Sequence, residues 1–273
     1  MHTWHWQLWE GLPYLTCSLL APWKHGFLTR QFHPRSPRNL TPVLQPNAKA
    51  YQVKQVHGAV VLRTGETRKP KIELGDDRDR VSAQELSSGE QNLCEADGLV
   101  TEQVNEAVWV CSADCTPVLI ADGRTGQVAA VHAGWRGTAA KIVPEAIGCL
   151  QSQGSRLQDL RLALGPAIDG EVYQVALEVA AEVGATLLQA DSGAALMAAL
   201  QQLSPAPVLP DAEPGRVRLD VRQVIRWQLE HLGIAAEQIA IAPHCTYQDA
   251  DYFFSYRRDR QKKVQWSGIV SGS

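Results

Sequence analysis

The chain has 273 residues, 45% of them hydrophobic and 20% charged, with 26 Lys and Arg against 29 Asp and Glu. That length holds one large domain or two small ones, and that apolar share excludes a chain disordered throughout. A net charge of -3 gives no basic field for a nucleic-acid backbone, and no apolar run approaches the ~18–20 residues of a membrane span.

The opening MHTWHWQLWEGLPYLTCSLL has neither the basic start nor the unbroken apolar stretch of a secretory signal, so a soluble, cytoplasmic protein is expected. The first fifty or so residues read as irregular, and Pro34, Pro37 and Pro42 predict loop or edge segments rather than helix. AYQVKQVHGAVVLRT reads as β around Val53, Val56, Val60 and Val61, with Gly58 as a turn or bulge. Residues 65–95 are dense in charge and poor in large apolar side chains, which predicts a long exposed insertion inside a single domain spanning 1–273. From Ala96 the pattern becomes strand, strand, then strand-to-helix. ADGRTGQ (121–127) lies between two apolar runs and carries two glycines, a hairpin signal. Pairing Asp122 near Gln127 puts Pro117 opposite His132 and Cys115 about one pair beyond, at the same end of the hairpin. Ala139, Ile142, Val143, Ala146, Ile147 and Leu150 keep helical spacing, with Thr138 as the expected cap. A strand (DLRLALGPAI), helices over 175–189 and 191–203, a Pro-rich loop, and the amphipathic helix LDVRQVIRWQLEHLG closed by Gly233 follow. The strand QIAIAPHCT and the segment FFSYRRDRQKKVQWSGIV complete the chain. Alternating strands and helices with a central hairpin predict an α/β fold whose sheets are mixed rather than purely parallel.

Six cysteines without a CxxC pair argue against a secreted disulfide framework and a zinc ribbon. His57 in KQVHG, Cys115 in SADCTP and His132 in AVHAGWRG each follow an apolar β-like run. Two imidazoles and a thiolate suit zinc with one position left open, and they also suit copper. The same residues suit a Cys115 nucleophile with His132 as its base, oriented by Asp114 or another carboxylate. A zinc-bound thiolate is not a free nucleophile, so the two chemistries exclude each other. Arg136, directly before the expected helix, suits phosphate, and Trp135 beside it suits a planar base or the core. FFSYRRDR brings Tyr256, Arg257 and Arg258 as a wall for an aromatic, anionic substrate, or as a solvated strand. Cys111 is read as core, and Cys245 as a residue able to line the pocket.

The segments KQVHG, EADGLVT, SADCTPVLIAD, VAAVHAGWRGT, LGPAI…VYQV and CTY…FFSYRRD resemble, in order, the multicopper polyphenol oxidase or laccase-domain family, also called the peptidoglycan editing factor family. The resemblance runs from about His25 to Ile269. It implies a single α/β domain of layered mixed sheets and helices, similar in fold to a deamidating cysteine hydrolase. It implies a zinc site of His57, Cys115 and His132, with copper as the older assignment. It further implies purine nucleoside phosphorolysis of adenosine, inosine, guanosine and methylthioadenosine, together with adenosine deamination. Nucleoside and phosphate are then the partners, with Cys115 and Arg136 at the reaction and Arg136, Tyr256 and Arg257 on the substrate. The alternatives are copper-dependent polyphenol oxidation and a cysteine-dependent amidase acting on peptidoglycan precursors. The chain departs from the family pattern in three places. QFHPRSP replaces the usual Gly-Gly-x-Ser stretch, Gln174 stands for the Glu of Tyr-Glu-Val, and RQKKVQW replaces a Gly-Arg pair after RRD.

Overall fold

The computed structural model describes residues 2–67 and 93–272. Strands and α-helices are numbered in chain order. One six-stranded sheet runs β1 (Trp4–Trp9), β2 (Leu12–Cys17), β3 (His25–Leu28), β15 (Gln265–Val270), β7 (Glu106–Ser112), β4 (Lys49–Tyr51). A second runs β14 (Ile239–Ile241), β10 (Leu160–Leu164), β8 (Thr116–Asp122), β9 (Val128–Ala133), β6 (Gly98–Val100), β5 (Val61–Arg63). The third and smallest is β11 (Gln174–Ala176), β13 (Arg216–Leu219), β12 (Val208–Pro210). The helices are α1 (Pro37–Leu44), α2 (Trp135–Ala139), α3 (Ile142–Ser152), α4 (Leu177–Gly184), α5 (Gly193–Gln202), α6 (Val221–Leu232) and α7 (Tyr256–Asp259). Both large sheets are mixed: β4 with β7, β5 with β6 and β10 with β14 are parallel, and the hairpin β8–β9 is antiparallel.

The layering follows from strand alternation. Every residue of β8 and β9 is buried, so both faces of this hairpin lie inside the protein. Val118, Ile120, Ala129, Val131 and Ala133 face a helical core with Ile142, Ile147 and Leu150 of α3 and Val224, Ile225 and Leu229 of α6. Leu119, Ala121, Val128 and Ala130 face the other large sheet, where they meet Leu15, Phe27, Val108, Val110 and Ile269. The far side of that sheet carries Trp109 and Ala107 against Leu40 and Leu44 of α1. Trp109 lies so close over Gly268 that a side chain there would overlap its ring. The order is helix, sheet, sheet, helices, with β8–β9 near the middle.

Several elements differ from the sequence expectation. Residues 2–50 carry regular elements rather than being irregular: β1 and β2 form a hairpin over a two-residue turn, Glu10 and Gly11, whose φ values of 50° and 79° suit strand twist. α1 forms despite Pro42. Pro37 occupies its first turn, and Leu40 and Leu44, one turn apart, are buried beneath Trp109. Of the run read as β over 50–64, with Gly58 as a turn or bulge, only the ends are strand, in β4 and β5, and the segment between them carries His57. The helix after Trp135 breaks at Lys141 (φ 58°), so Thr138 is inside α2 and caps nothing. The Pro-rich loop contains β12 and is followed by β13. Gly233 closes α6 at φ 99°, as expected. The charged insertion expected over 65–95 lies, across 68–92, outside the described residues.

Glu106 opens β7 as a buried carboxylate. It accepts hydrogen bonds from the Tyr51 hydroxyl at 2.9 Å, the Thr64 hydroxyl at 2.6 Å, and the amides of Glu102 and Gln103 at 3.0 and 3.1 Å. Burial pushes its pKa up, but these donors outweigh burial and hold it below the ordinary value. The unfolded chain therefore binds this proton more readily than the folded one. The stabilisation is complete above the unfolded pKa of about 4.3 and is lost as pH falls through the lower folded value. Urea unfolding at successive pH values is expected to show that loss, and Glu106→Gln to make the acid limb shallower.

Candidate metal centre

The hairpin register places two of the expected residues. The Asp122 carboxylate accepts from the amides of Arg124 (2.7 Å) and Thr125 (3.1 Å), and Gly126 turns at φ 74°. Pro117 then pairs with His132 and Thr116 with Ala133. Cys115 comes after that last pair, one residue further along than the sequence register put it. Opposite lies Gly134, where a Cβ would come within 2.9 Å of the Cys115 sulfur and 3.4 Å of His57 Cδ2. His132 shares the alternation of Val128 and Ala130 and is buried.

His57 arrives from a different part of the chain, on a non-regular segment with φ 62°. A left-handed non-glycine residue costs on the order of 1–3 kcal/mol and needs surroundings that hold it. Asp97, fully buried just before β6, provides them. Its Oδ2 accepts from the amides of Val56 (3.1 Å) and Gly58 (2.7 Å), and its Oδ1 accepts from the amide of His57 (2.9 Å). That same Oδ1 lies 2.8 Å from His132 Nδ1, and the Asp97 carbonyl accepts from the His132 amide at 2.7 Å. Burial pushes the Asp97 pKa up, but the hydrogen bonds, His132 first among them, outweigh burial and hold it below the usual carboxylate value. With Nδ1 engaged, the other ring nitrogen of His132 is left for the cluster. A Cβ on Gly137 would come within 2.9 Å of the Gly58 carbonyl, so α2 can lie against the His57 segment only with glycine there.

One ligand atom from each of His57, Cys115 and His132 lies within 4.8 Å of the others, and the two rings stand at 85° with centroids 4.9 Å apart. Among the described residues this is the group of three or more His, Cys, Asp or Glu able to share a metal ion. Burial raises the Cys115 pKa, but His132 and His57 together bring it down to about 6. Burial lowers that of His132, while Asp97 and Cys115 raise it to about 9. The thiolate is thus the favoured form of Cys115, and it is the form that binds metals or attacks carbon. Two imidazoles, one of them held by a carboxylate, and a thiolate fit zinc or copper and leave further coordination open.

The surrounding residues divide differently from the sequence expectation. Asp114 does not orient His132. At φ 93° it accepts from the Thr246 hydroxyl (2.8 Å) and the Arg257 amide (2.7 Å), which ties the Cys115 segment to α7. Arg257 lies over the Tyr173 ring, 4.7 Å from its centre, and donates to the Gln174 carbonyl at 2.9 Å. Tyr173 is pushed up to about 12 by burial and then by the Cys115 charge, opposed by Arg257 and Arg136, so all these groups feel one another. Arg136 is exposed and is the second residue of α2 rather than the residue before a helix; its guanidinium covers the Trp135 ring at 4.3 Å. Tyr256 opens α7 and is exposed, with Arg260 5.8 Å from its ring centre. Phe253 and Phe254 are buried, and Arg258 is spent on the carbonyls of Thr246, Tyr247 and Phe253, so the expected wall reduces to Tyr256 and Arg257. Cys245 is buried and its sulfur accepts from the Asp169 amide. Cys111 is half-buried on β7, a different strand from β8, so it shares no strand face with Cys115. Gln174 donates to both Asp211 (3.0 Å) and Glu213 (3.1 Å), where a glutamate would face two like charges.

Residues 37–270 match the family described as multi-copper polyphenol oxidoreductase laccase. The chain belongs to this family. A protein of Synechocystis named purine nucleoside phosphorylase is 51% identical over 271 residues, covering 98% of this chain and 97% of its own. A purine nucleoside phosphorylase of Mycobacterium tuberculosis H37Rv is 38% identical over 167 residues, 61% of this chain and 58% of its own. The crystal structure of YlmD from Geobacillus stearothermophilus superposes with a TM-score of 0.74 at 24% identity, over 98% of this chain and 99% of that one. The hypothetical protein YfiH of Bacillus licheniformis gives 0.73 at 24%, over 94% and 96%. At that identity these two structures bear on the fold alone, and they bear out the layered α/β expectation. No helix among the described residues is long and apolar enough to cross a membrane.

The glycines of HAGWRG give a direct test of the geometry. Gly134 has φ -78°, which alanine adopts freely, so Gly134→Ala acts through the approach to Cys115 and, less closely, to His57. It is expected to cost about 1–3 kcal/mol by overpacking and to weaken binding of added zinc, read by urea unfolding and by competition with a chromogenic chelator. Unchanged zinc binding would mean that the sulfur does not need this space.

Proposed function

We propose that the chain is a zinc-dependent purine nucleoside phosphorylase that also deaminates adenosine, with His57, Cys115 and His132 holding the metal. The observation that carries the reading is the convergence of those three side chains in a member of a family whose relatives bear the phosphorylase name. A zinc ion there would supply a Lewis acid able to polarise a substrate atom or a water. The chain's own residues do the rest. Asp97 fixes the His132 ring and the His57 backbone, so the donors are set before substrate arrives. Arg136, exposed and without an acidic partner among its described contacts, takes the phosphate. Tyr173, with Arg257 stacked on it, and Tyr256 contact the nucleoside. In phosphorolysis a phosphate oxygen bonds to C1′ as the glycosidic bond breaks and the base leaves with a proton. In deamination water adds at C6 of adenosine and ammonia departs. Six free cysteines accord with a cytoplasmic setting.

The test is phosphate-dependent release of free base from adenosine and inosine by protein of measured metal content. His57→Ala, Cys115→Ala and His132→Ala are each expected to abolish release. Arg136→Ala should raise the KM for phosphate roughly tenfold, the loss of about one hydrogen bond to a charged group. Neither base nor inosine from any nucleoside, with zinc bound, overturns the reading.

A second reading draws on the ionisation of the same pair. Cys115 at about 6 and His132 at about 9, with Asp97 behind the imidazole, make a nucleophile, base and orienting carboxylate. Such a site would act as a cysteine-dependent amidase on peptidoglycan precursors. Activity that survives chelation and is lost in Cys115→Ser would favour it. Copper in the purified protein with turnover of phenols would instead favour the oxidoreductase named in the family description.

A further inference from the structure

We propose that Asp97 is the positioning residue of the centre: one carboxylate orients both histidines, selecting the ring nitrogen that His132 presents and holding His57 in its left-handed backbone conformation. The inference rests on the proposed zinc reading for its consequence, but its geometry stands apart from any metal.

Asp97 has no exposure, and its carboxylate has four hydrogen-bonding partners. Three are backbone amides of consecutive residues 56–58, and the fourth is His132 Nδ1. An ionised carboxylate only accepts, so the proton of the neutral imidazole must sit on Nδ1, and Nε2 carries the lone pair turned toward Cys115. The main chain reinforces the arrangement, because the His132 amide bonds to the Asp97 carbonyl at 2.7 Å and the Asp97 amide to the Val60 carbonyl at 2.9 Å. The residue therefore joins the His57 segment to β9 through its side chain and its backbone together.

Asparagine makes the role testable because it replaces one acceptor by a donor with little change in shape. With its carbonyl kept toward the amides of Val56 and Gly58, its NH2 group faces the His57 amide and His132 Nδ1. It then loses the His57 bond and donates to the imidazole, so the ring proton moves to Nε2. That nitrogen can no longer ligate without first losing the proton, and the segment holding His57 loosens at the same time.

The experiment compares the wild-type protein, Asp97→Asn and Glu106→Gln. Glu106 is an equally saturated buried carboxylate at the end of β7 remote from the Cys115 segment. Zinc affinity is read by chelator competition and folding by urea unfolding. The protonated nitrogen of His132 is read by two-bond 1H–15N spectra of metal-free protein at a pH where the ring is neutral. The expected result is a zinc dissociation constant raised about 10–100-fold in Asp97→Asn, a proton on Nδ1 in the wild type and on Nε2 in the variant, and zinc affinity unchanged in Glu106→Gln. Asp97→Asn binding zinc within about threefold of wild type, where loss of an orienting partner ordinarily costs tenfold or more, overturns the role. So does an equal loss in Glu106→Gln, which would be generic destabilisation. If Asp97→Asn does not fold, the wild-type spectrum decides: a neutral His132 ring protonated on Nε2 refutes the inference. Absence of phosphorolysis alongside the expected zinc and ring results would sink the phosphorylase reading and leave Asp97's role standing.

Discussion

A carboxylate with no solvent must find all its partners within the protein, and the centre of this molecule is arranged around one that does. Leaving such a charge unpaired costs several kcal/mol, enough to decide local structure. Asp97 draws three successive amides onto its oxygens, and a chain that turns tightly enough to present them passes through the left-handed region at His57. Its remaining capacity goes to an imidazole from β9. The approach of the two rings follows from saturating this single group.

The layers supply the rigidity that this arrangement requires. The β8–β9 hairpin is packed on both faces, so Cys115 and His132 stand at the end of an element with little room to shift. Glycine appears where the three clustered side chains must be approached. Gly134 gives the sulfur its space, and Gly137 admits α2 against the His57 segment. The outer boundary is built by Asp114, whose carboxylate ties α7 to the segment before Cys115 and thereby brings Arg257 over Tyr173. The Gln174 departure from the family pattern also has a physical setting, since its amide bridges two carboxylates that a glutamate would repel.

Much of this was readable from the sequence, but unevenly. The hairpin register followed from a two-glycine turn between apolar runs, and pairing Pro117 with His132 needed nothing further. Arg257 emerged with Tyr256 from one motif, though only the fold separates the stacked guanidinium from Arg258, which is consumed by carbonyls. The sequence does not single out Asp97, although it lies in the EADGLVT segment. An aspartate bound to backbone amides from distant sequence leaves no periodic or compositional trace, and Asp114, next to Cys115, was the nearer candidate. The N-terminal hairpin was obscured by tryptophans on an exposed edge strand and by a Glu-Gly turn. The proline rule failed at α1 because burial of Leu40 and Leu44 outweighed one missing backbone donor.

The donors lie far apart along the chain, on an irregular segment and at the two arms of a hairpin, and they meet only when two strands of one sheet are in register. Closing such loops carries an entropic cost that grows with their length, and here it is met by the hydrophobic layers before any ion is considered. An ion captured by the three side chains would therefore bind the folded chain far better than the unfolded one, and its binding free energy would add to the stability of the whole domain by mass action. Register becomes a condition of capture. A slip of one residue between β8 and β9 would turn His132 from Asp97 into the helical layer, and a chain misfolded in that way would have no site to offer.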